Sequence, residues 1–291
     1  EAVDVSDGRA AHGAKLALSG QDLVAELNPI EGMQVHAPPG WNARVQQSTC
    51  LPAQAIIATD KAHFVGEALA VVVANSATTA LDAAELVVPR LRPLPAVVDP
   101  ERAISSDDHI IHTSLGSNLL STMTVEKGDA ESALAQASHR LRRRISHHRY
   151  AAMPMECRGV VADFDARSGV LTLWSASQVV FWVRAQVAQA LGMAEAQVRV
   201  IAPDVGGGFG VKGHVYPEEI LIAYLARRLG RPVRWLEQRQ EHFIAATHSR
   251  DNIHDVEFGF DDTGRILALR DHSLVDSGAY CPVGAGVAYN T

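Results

Sequence analysis

Ala202-Pro203-Asp204-Val205-Gly206-Gly207-Gly208-Phe209-Gly210-Val211-Lys212-Gly213 is the stretch on which the reading of this chain turns. Its glycines follow a strand-like apolar run, Val198 to Val205, and precede a helix-like segment from Tyr216. Each ordered glycine costs roughly 0.5–1 kcal/mol relative to alanine, so the four at 206, 207, 208 and 210 cost about 2–4 kcal/mol together. A buried turn rarely needs so many. The density implies a backbone that comes very close to something, with N–H groups free to donate. A bound cofactor or an anion fits that description.

Two known glycine motifs can be compared with it. A phosphate-binding P-loop needs G-x-x-x-x-G-K-[ST], and Lys212 is neither preceded by Gly nor followed by Ser or Thr. The dinucleotide fingerprint does match, as Gly208-x-Gly210-x-x-Gly213, with a second strand Pro232 to Leu236 ending at the acid Glu237. Against it, Pro203-Asp204 interrupts the approach to the glycines, and three consecutive glycines exceed what that turn needs. A dehydrogenase using NAD or FAD is therefore the alternative reading, beside a purely structural turn in a non-catalytic fragment.

Composition sets outer limits. A length of 291 residues favours two domains, and a hydrophobic share of 47% describes a folded chain. The net charge of −7 leaves no footprint for nucleic acid. The basic run Arg140 with Arg142-Arg143-Arg144 reads as a solvated or interface-facing strand edge. No apolar run approaches the roughly 20 residues of a membrane span. The longest, Ala68 to Ala74, reads as a buried strand. Cys50, Cys157 and Cys281 are too far apart for an iron–sulfur or zinc pattern. A reducing, cytoplasmic compartment is the default, with the periplasm the other one open to it. The chain begins at Glu1 rather than Met, so an N-terminal part is expected to be missing.

Periodicity predicts an α+β protein. Residues 1–105 alternate short strands with a helix over Ala77–Leu86. Pro29–Asn42 reads as an irregular connection, and residues 106–127 as a polar linker. The second region, 128–291, opens with Asp129 as N-cap of a helix over Ala130–Ala137. Strands follow over Leu141–Arg149, Arg158–Asp165 and Val170–Ser175. A helix over Val180–Leu191 stops at Gly192, and another opens at Pro217-Glu218-Glu219 and closes at Arg227, Arg228 and Gly230, with its charges matched to the helix dipole. A hairpin joins Asn252–Phe260 to Ile266–Leu274. His242, His248 and His254 recur at six-residue spacing, and Thr247–Asp251 reads as a polar loop. His147-His148 reads as exposed or structural. Asp255, Glu257 and Asp276 are candidate partners for histidines, without a nucleophile elbow.

The glycine stretch resembles the cofactor loop of the molybdenum hydroxylase large subunits, the xanthine dehydrogenase, aldehyde oxidase and carbon monoxide dehydrogenase family. Trp174-Ser175-Ala176-Ser177-Gln178, Met155-Glu156-Cys157-Arg158-Gly159, Gly230 to Trp235, and Arg239-Gln240-Glu241-His242 resemble further segments of that family in the same order. Val65-Gly66-Glu67 and Leu94 to Asp99 resemble its a/b hammerhead domain. The resemblance implies a partial hammerhead domain over 1–105, followed by the first part of a molybdopterin-binding domain over 128–291. It implies that Gly207, Gly208, Phe209 and Gly210 approach a molybdenum–molybdopterin cofactor, in its plain or cytosine dinucleotide form, and that the Gln178 amide hydrogen-bonds it. No protein ligand to the metal is implied. Iron–sulfur and flavin groups are expected on partner subunits or domains, and a small molecule as substrate. Gly213 stands where the purine-oxidising members carry a glutamate, which favours an aldehyde or N-heterocycle substrate. The catalytic residues are unknown from this chain, because the family's catalytic glutamate is expected in a remaining part of the large subunit beyond Thr291.

Overall fold

In the computed structural model, residues 2–32, 44–105 and 109–281 are described. They form two compact units, each drawing on three stretches of chain. The first takes Glu1–Glu31, Ala53–Leu94 and Ala152–Thr247; the second takes Gly32–Pro52, Pro95–Ala151 and His248–Thr291. The units interleave along the sequence.

The first unit is built on a four-stranded sheet. Its strands are Gly159–Asp165 (β1), Val170–Ser175 (β2), Val198–Ile201 (β3) and Val233–Leu236 (β4), in the order β3-β2-β1-β4. β1 and β2 form the expected hairpin, with Gly169 at φ 72° in its turn. β3 runs parallel to β2, and β4 runs antiparallel to β1. Alternate residues explain the pairing. Val160 and Ala162 on β1, and Leu171 and Leu173 on β2, are buried on one face. Helices Val180–Leu191 (α1) and Pro217–Leu229 (α2) pack on the sheet and against each other.

Val183 and Val187 of α1 and Ile220, Ala223 and Leu225 of α2 meet those strand residues in one core. Fully burying each larger aliphatic side chain contributes about 1.5–3 kcal/mol. α1 ends at Gly192 (φ 60°) and α2 at Gly230 (φ 61°), both left-handed, as the sequence predicted. A short helix, Arg239–Ala245 (α3), follows β4.

The same unit holds two small ladders. Ala14–Ser19 pairs with Ala70–Ala74, and Ala2–Asp4 with Val88–Arg90. Ala70–Ala74 is half-buried throughout, so the expectation of a buried strand there is corrected. It has a single neighbouring strand among the described residues. The predicted helix runs over Ala77–Ala84, with Ser76 accepting from Thr79 N–H at its N-terminus.

In the second unit, His248–Phe260 lies between His139–Ala151 and Ile266–Val275 in an antiparallel sheet. Arg44–Thr49 pairs with Ser121–Glu126. The helix capped by Asp129 spans Ala130–Gln136. The polar loop expected over residues 247–251 is, from His248 on, the start of a strand. Arg250 (φ 72°) and Asp251 (φ 64°) interrupt it in the left-handed region, which accounts for its loop-like composition. Arg140, Arg142 and Arg270 converge on Glu257, while Arg144 pairs with Glu101 and Asp255. Asp276 pairs with Arg149. The basic strand is therefore balanced by acids, and of the carboxylates considered as histidine partners these three bind arginines instead. The irregular connection read over Pro29–Asn42 lies, from residue 33 onward, outside the described residues.

Candidate functional site

β3 ends at Ile201, and α2 begins at Pro217. The glycine stretch fills the interval as an ordered loop over one end of the sheet. Its turns are closed by Gly207 N–H to Val205 O (2.9 Å), Val211 N–H to Gly208 O (3.1 Å) and Gly213 N–H to Gly210 O (2.9 Å). Gly207 and Gly210 take φ of 94° and 90°, which side chains rarely adopt. Phe209 stands between them at φ 53°, with its ring 77% exposed. Such a conformation is a local cost held in place by the surrounding bonds.

The other two glycines are required by neighbours within the protein. A Cβ at Gly206 would lie 2.6 Å from Glu156 Cβ, and one at Gly208 would lie 2.4 Å from Gln178 Oε1. Glycine density implies room for a ligand; at 206 and 208 it is also room for these two side chains.

Gln178 is brought to the loop by the turn between β2 and α1. Its backbone N–H donates to Lys212 O (2.8 Å), and its Oε1 accepts from Gly210 N–H (3.1 Å). That N–H fixes the amide: the oxygen faces the loop, and the Nε2 donors face outward from an exposed side chain. The amides of Gly208 and Phe209 have no hydrogen-bond partner among the described residues. Gln178, Gly207, Gly208, Phe209 and Gly210 are thus gathered in one place, presenting several unused donors.

Beneath the loop lies a charged network. Glu156 Oε2 accepts from Gly206 N–H (2.8 Å) and from Lys212 Nζ (2.7 Å), whose side chain is 0% exposed. Burial pushes the Glu156 carboxyl up, but the bonds from Lys212 and Gly206 outweigh it and hold it below the usual range. Arg158 donates to Glu237 from Nε (2.8 Å) and Nη2 (2.7 Å), and to Glu218 from Nη1 (3.1 Å). Its guanidinium also stacks 3.8 Å from the Tyr216 ring centroid. Burial disfavours its charge, yet Glu218 and Glu237 more than offset that.

Glu219 is buried, accepting from Ser175 Oγ (2.5 Å) and Tyr216 N–H (3.0 Å). Desolvation pushes its carboxyl up to about 7, against the lowering effect of those two bonds. Glu218 and Glu219 do lie in the first turn of α2, as expected, but burial works against the charge on Glu219. His214 has a buried Nδ1 with no partner among the described residues, and desolvation depresses its basicity.

Cys157, Glu237 and His242 offer ligand-type atoms within 4.8 Å of one another. Glu237 already carries Arg158, and the two ring nitrogens of His242 face Glu237 Oε2 (2.8 Å) and Ala152 O (2.9 Å). A metal there would have to displace those partners. His242 belongs to the first unit and His248 and His254 to the second, so their common spacing does not build one cluster within a unit. His254 instead bonds Asp271 (2.8 Å).

The structure overturns the dinucleotide reading. Gly208, Gly210 and Gly213 lie neither at a strand end nor at the first turn of α2. β4, which would be the second parallel strand, runs antiparallel to β1 at the far edge of the sheet from β3. The acid after it, Glu237, is fully engaged by Arg158 and His242.

Glu156, Arg158 and His242 stand within the motifs quoted above, and no local pattern links Lys212 or Glu237 to its partner. A usable signal existed for Glu219. It shares a helix face with the apolar Ile222, Ala223 and Ala226, at spacings of three, four and seven.

Residues 111–291 match the family model described as "Molybdopterin cofactor-binding domain". The nicotine 6-hydroxylase large subunit of Paenarthrobacter nicotinovorans is 36% identical over 225 residues, covering 77% of this chain and 28% of that protein. The carbon monoxide dehydrogenase large chain of Hydrogenophaga pseudoflava is 30% identical over 280 residues, covering 92% of this chain and 34% of that one. Among solved structures, quinoline 2-oxidoreductase from Pseudomonas putida 86 aligns with a TM-score of 0.83 at 36% identity, over 96% of this chain and 34% of its own. The chain spans about a third of the length of the relatives it matches.

Proposed function

The chain belongs to the molybdopterin cofactor-binding family of molybdenum hydroxylase large subunits, and from that premise we propose that it holds one side of a molybdenum–molybdopterin cofactor in an enzyme that hydroxylates N-heterocycles with oxygen from water. The observation that carries this is the set of unused donors at Gly208, Phe209 and Gln178. Such a cofactor presents oxygen acceptors and phosphate, and neutral amides bind these without adding charge. A side chain at 207 or 210 would need a left-handed backbone, so the loop keeps its bare surface. The donor set therefore fits the group.

When bound, a molybdenum–dithiolene centre supplies two-electron chemistry: R–H + H2O gives R–OH, two electrons and two protons. In this reading Gln178 donates from Nε2 to the cofactor, the loop amides donate beside it, and the Phe209 ring shields the site from water. The N-heterocycle class is favoured by the 36% identity to proteins named for nicotine and quinoline. Gly213, where a purine-oxidising site needs glutamate, supports the same choice; an aldehyde is the second reading.

The remaining parts follow the family. They are a hammerhead-like domain over 1–105, a connection over 106–127 and the first part of the cofactor domain over 128–291. The cofactor's cytosine dinucleotide form, iron–sulfur and flavin subunits as electron partners, and a cytoplasmic setting complete the reading. No helix among the described residues is long and apolar enough to cross a membrane. Relatives named as enzyme subunits lend no support to a non-catalytic role.

The test is to purify the holoprotein, measure molybdenum by elemental analysis, and assay quinoline and an aromatic aldehyde with an artificial electron acceptor in 18O-labelled water. Molybdenum near one per chain with labelled hydroxyquinoline is expected. Absence of molybdenum and of pterin in active material would refute the proposal.

A further inference from the structure

Both ends of the glycine loop reach the same carboxylate. Glu156 Oε2 lies 2.8 Å from the N–H of Gly206, where the loop begins, and 2.7 Å from Nζ of Lys212, where it ends. The Glu156 backbone N–H donates back to Gly206 O (3.2 Å), and the Glu156 Cβ fills the space a side chain at 206 would need. The segment carrying Glu156 is itself fixed, because Arg239 Nη2 donates to Pro154 O (2.7 Å) and Met155 O (2.9 Å) and Arg158 is locked to Glu237. Lys212 has no exposed side-chain surface, and Glu156 is its one side-chain partner among the described residues.

We propose that Glu156 is a positioning residue that closes the 206–212 loop into a ring and so sets the direction in which its free amides point toward the cofactor. The proposal rests on the cofactor reading for its purpose, but the ring is a property of this chain alone. Three loop amides report on it without touching Glu156: those of Gly210, Val211 and Gly213, whose acceptors are Gln178, Gly208 and Gly210. If the ring holds the loop, these bonds loosen when it is opened. If Glu156 only adds general stability, they change no more than the amides of α2.

The experiment is residue-resolved hydrogen exchange together with molybdenum retention on the holoprotein. Glu156→Ala leaves a buried ammonium without a counter-charge, and the chain carrying it is at risk of not folding. The pair Glu156→Ala with Lys212→Met removes both charges and keeps a folded comparison. In that double variant the three loop amides should exchange at least tenfold faster, while Leu225 in α2 stays within twofold of the parent. Molybdenum should be lost at least tenfold faster on dilution. Glu156→Gln paired with Lys212→Met, which strands no charge and keeps an acceptor for Gly206 N–H, should restore part of the protection.

Loop exchange within twofold of the parent in the folded double variant overturns the proposal. Loosening that extends equally through α2 also overturns it. A parent protein without molybdenum, but with the predicted exchange pattern, would leave the ring standing and remove the cofactor reading.

Discussion

Gly208→Ala separates the two reasons for a glycine in this loop. Gly208 is not in the left-handed region, so alanine meets no backbone penalty. Its Cβ would, however, lie 2.4 Å from Gln178 Oε1, 2.6 Å from Cδ and 3.0 Å from Cγ. The Gln178 side chain is exposed and flexible, and it must yield before the loop does. The Gly210 N–H to Oε1 bond is then lost, at a cost of about 0.5–1.5 kcal/mol. The reduced freedom of the unfolded chain returns about 0.4–1 kcal/mol. The two nearly cancel, so the denaturant midpoint should barely move.

Turnover should fall, because the Gln178 donors no longer sit over the loop. One hydrogen bond of that size corresponds to a two- to roughly tenfold drop in kcat. The decisive comparison is a double-mutant cycle with Gln178→Ala. Because Gly208 acts through Gln178, the double variant should be no slower than Gln178→Ala alone. Losses that multiply, or full turnover in Gly208→Ala, would refute the reasoning.

Gln178→Ala itself should lower kcat with little change in KM; a raised KM at unchanged kcat would reassign it to substrate contact. Glu219, whose carboxyl rises from 4.5 to about 7 on folding, contributes stability that is complete below pH 4.5 and is lost as pH rises through 7, about 3 kcal/mol in all. His214, depressed below 6.5, works in the opposite sense. The difference in unfolding free energy between the parent and Glu219→Gln isolates the first effect, and a pH-independent difference between pH 5 and 8 would contradict it. Arg158→Met should destabilise by about 3–5 kcal/mol in urea unfolding, since it strands the buried Glu237. Gly230→Ala, at φ 61° with open space around it, should cost about 1 kcal/mol from the backbone alone, and an unchanged midpoint would show that the helix end can rearrange.

Much of the first unit was legible. The hairpin of β1 and β2, the two helices ended by Gly192 and Gly230, and a glycine loop before Pro217 follow from period and punctuation, although the strand leading into that loop stops at Ile201 and not at Val205. Sheet order was not legible, because β4 returns antiparallel beside β1 from far along the chain and no local pattern records that pairing. The strand over Ala70–Ala74 misled for a related reason: an apolar run records the tendency to be buried, and the number of neighbours decides the outcome. At the candidate site, motifs singled out Gln178 and the glycines, and the structure brings them together. Glu156, Lys212 and Arg158 escaped because a salt bridge between residues 56 apart, or 79 apart in the case of Arg158 and Glu237, leaves no local pattern. Only Glu219 carried a periodic trace.

Those separations also bear on the order in which the molecule assembles. Closing a segment of that length costs an entropy that grows with its logarithm, and it is repaid only once both ends have docked. The loop at 206–212 is short, but its shape is borrowed from residues 154–158 before it and from Glu237 and Arg239 after it. Its native form is therefore expected to depend on those distant contacts being in place. A synthetic peptide of residues 202–213 should show neither the left-handed turns nor any hold on a pterin. On the proposed cofactor reading, loading would require the tertiary fold, and misfolded chains should stay empty although every residue of the motif is present.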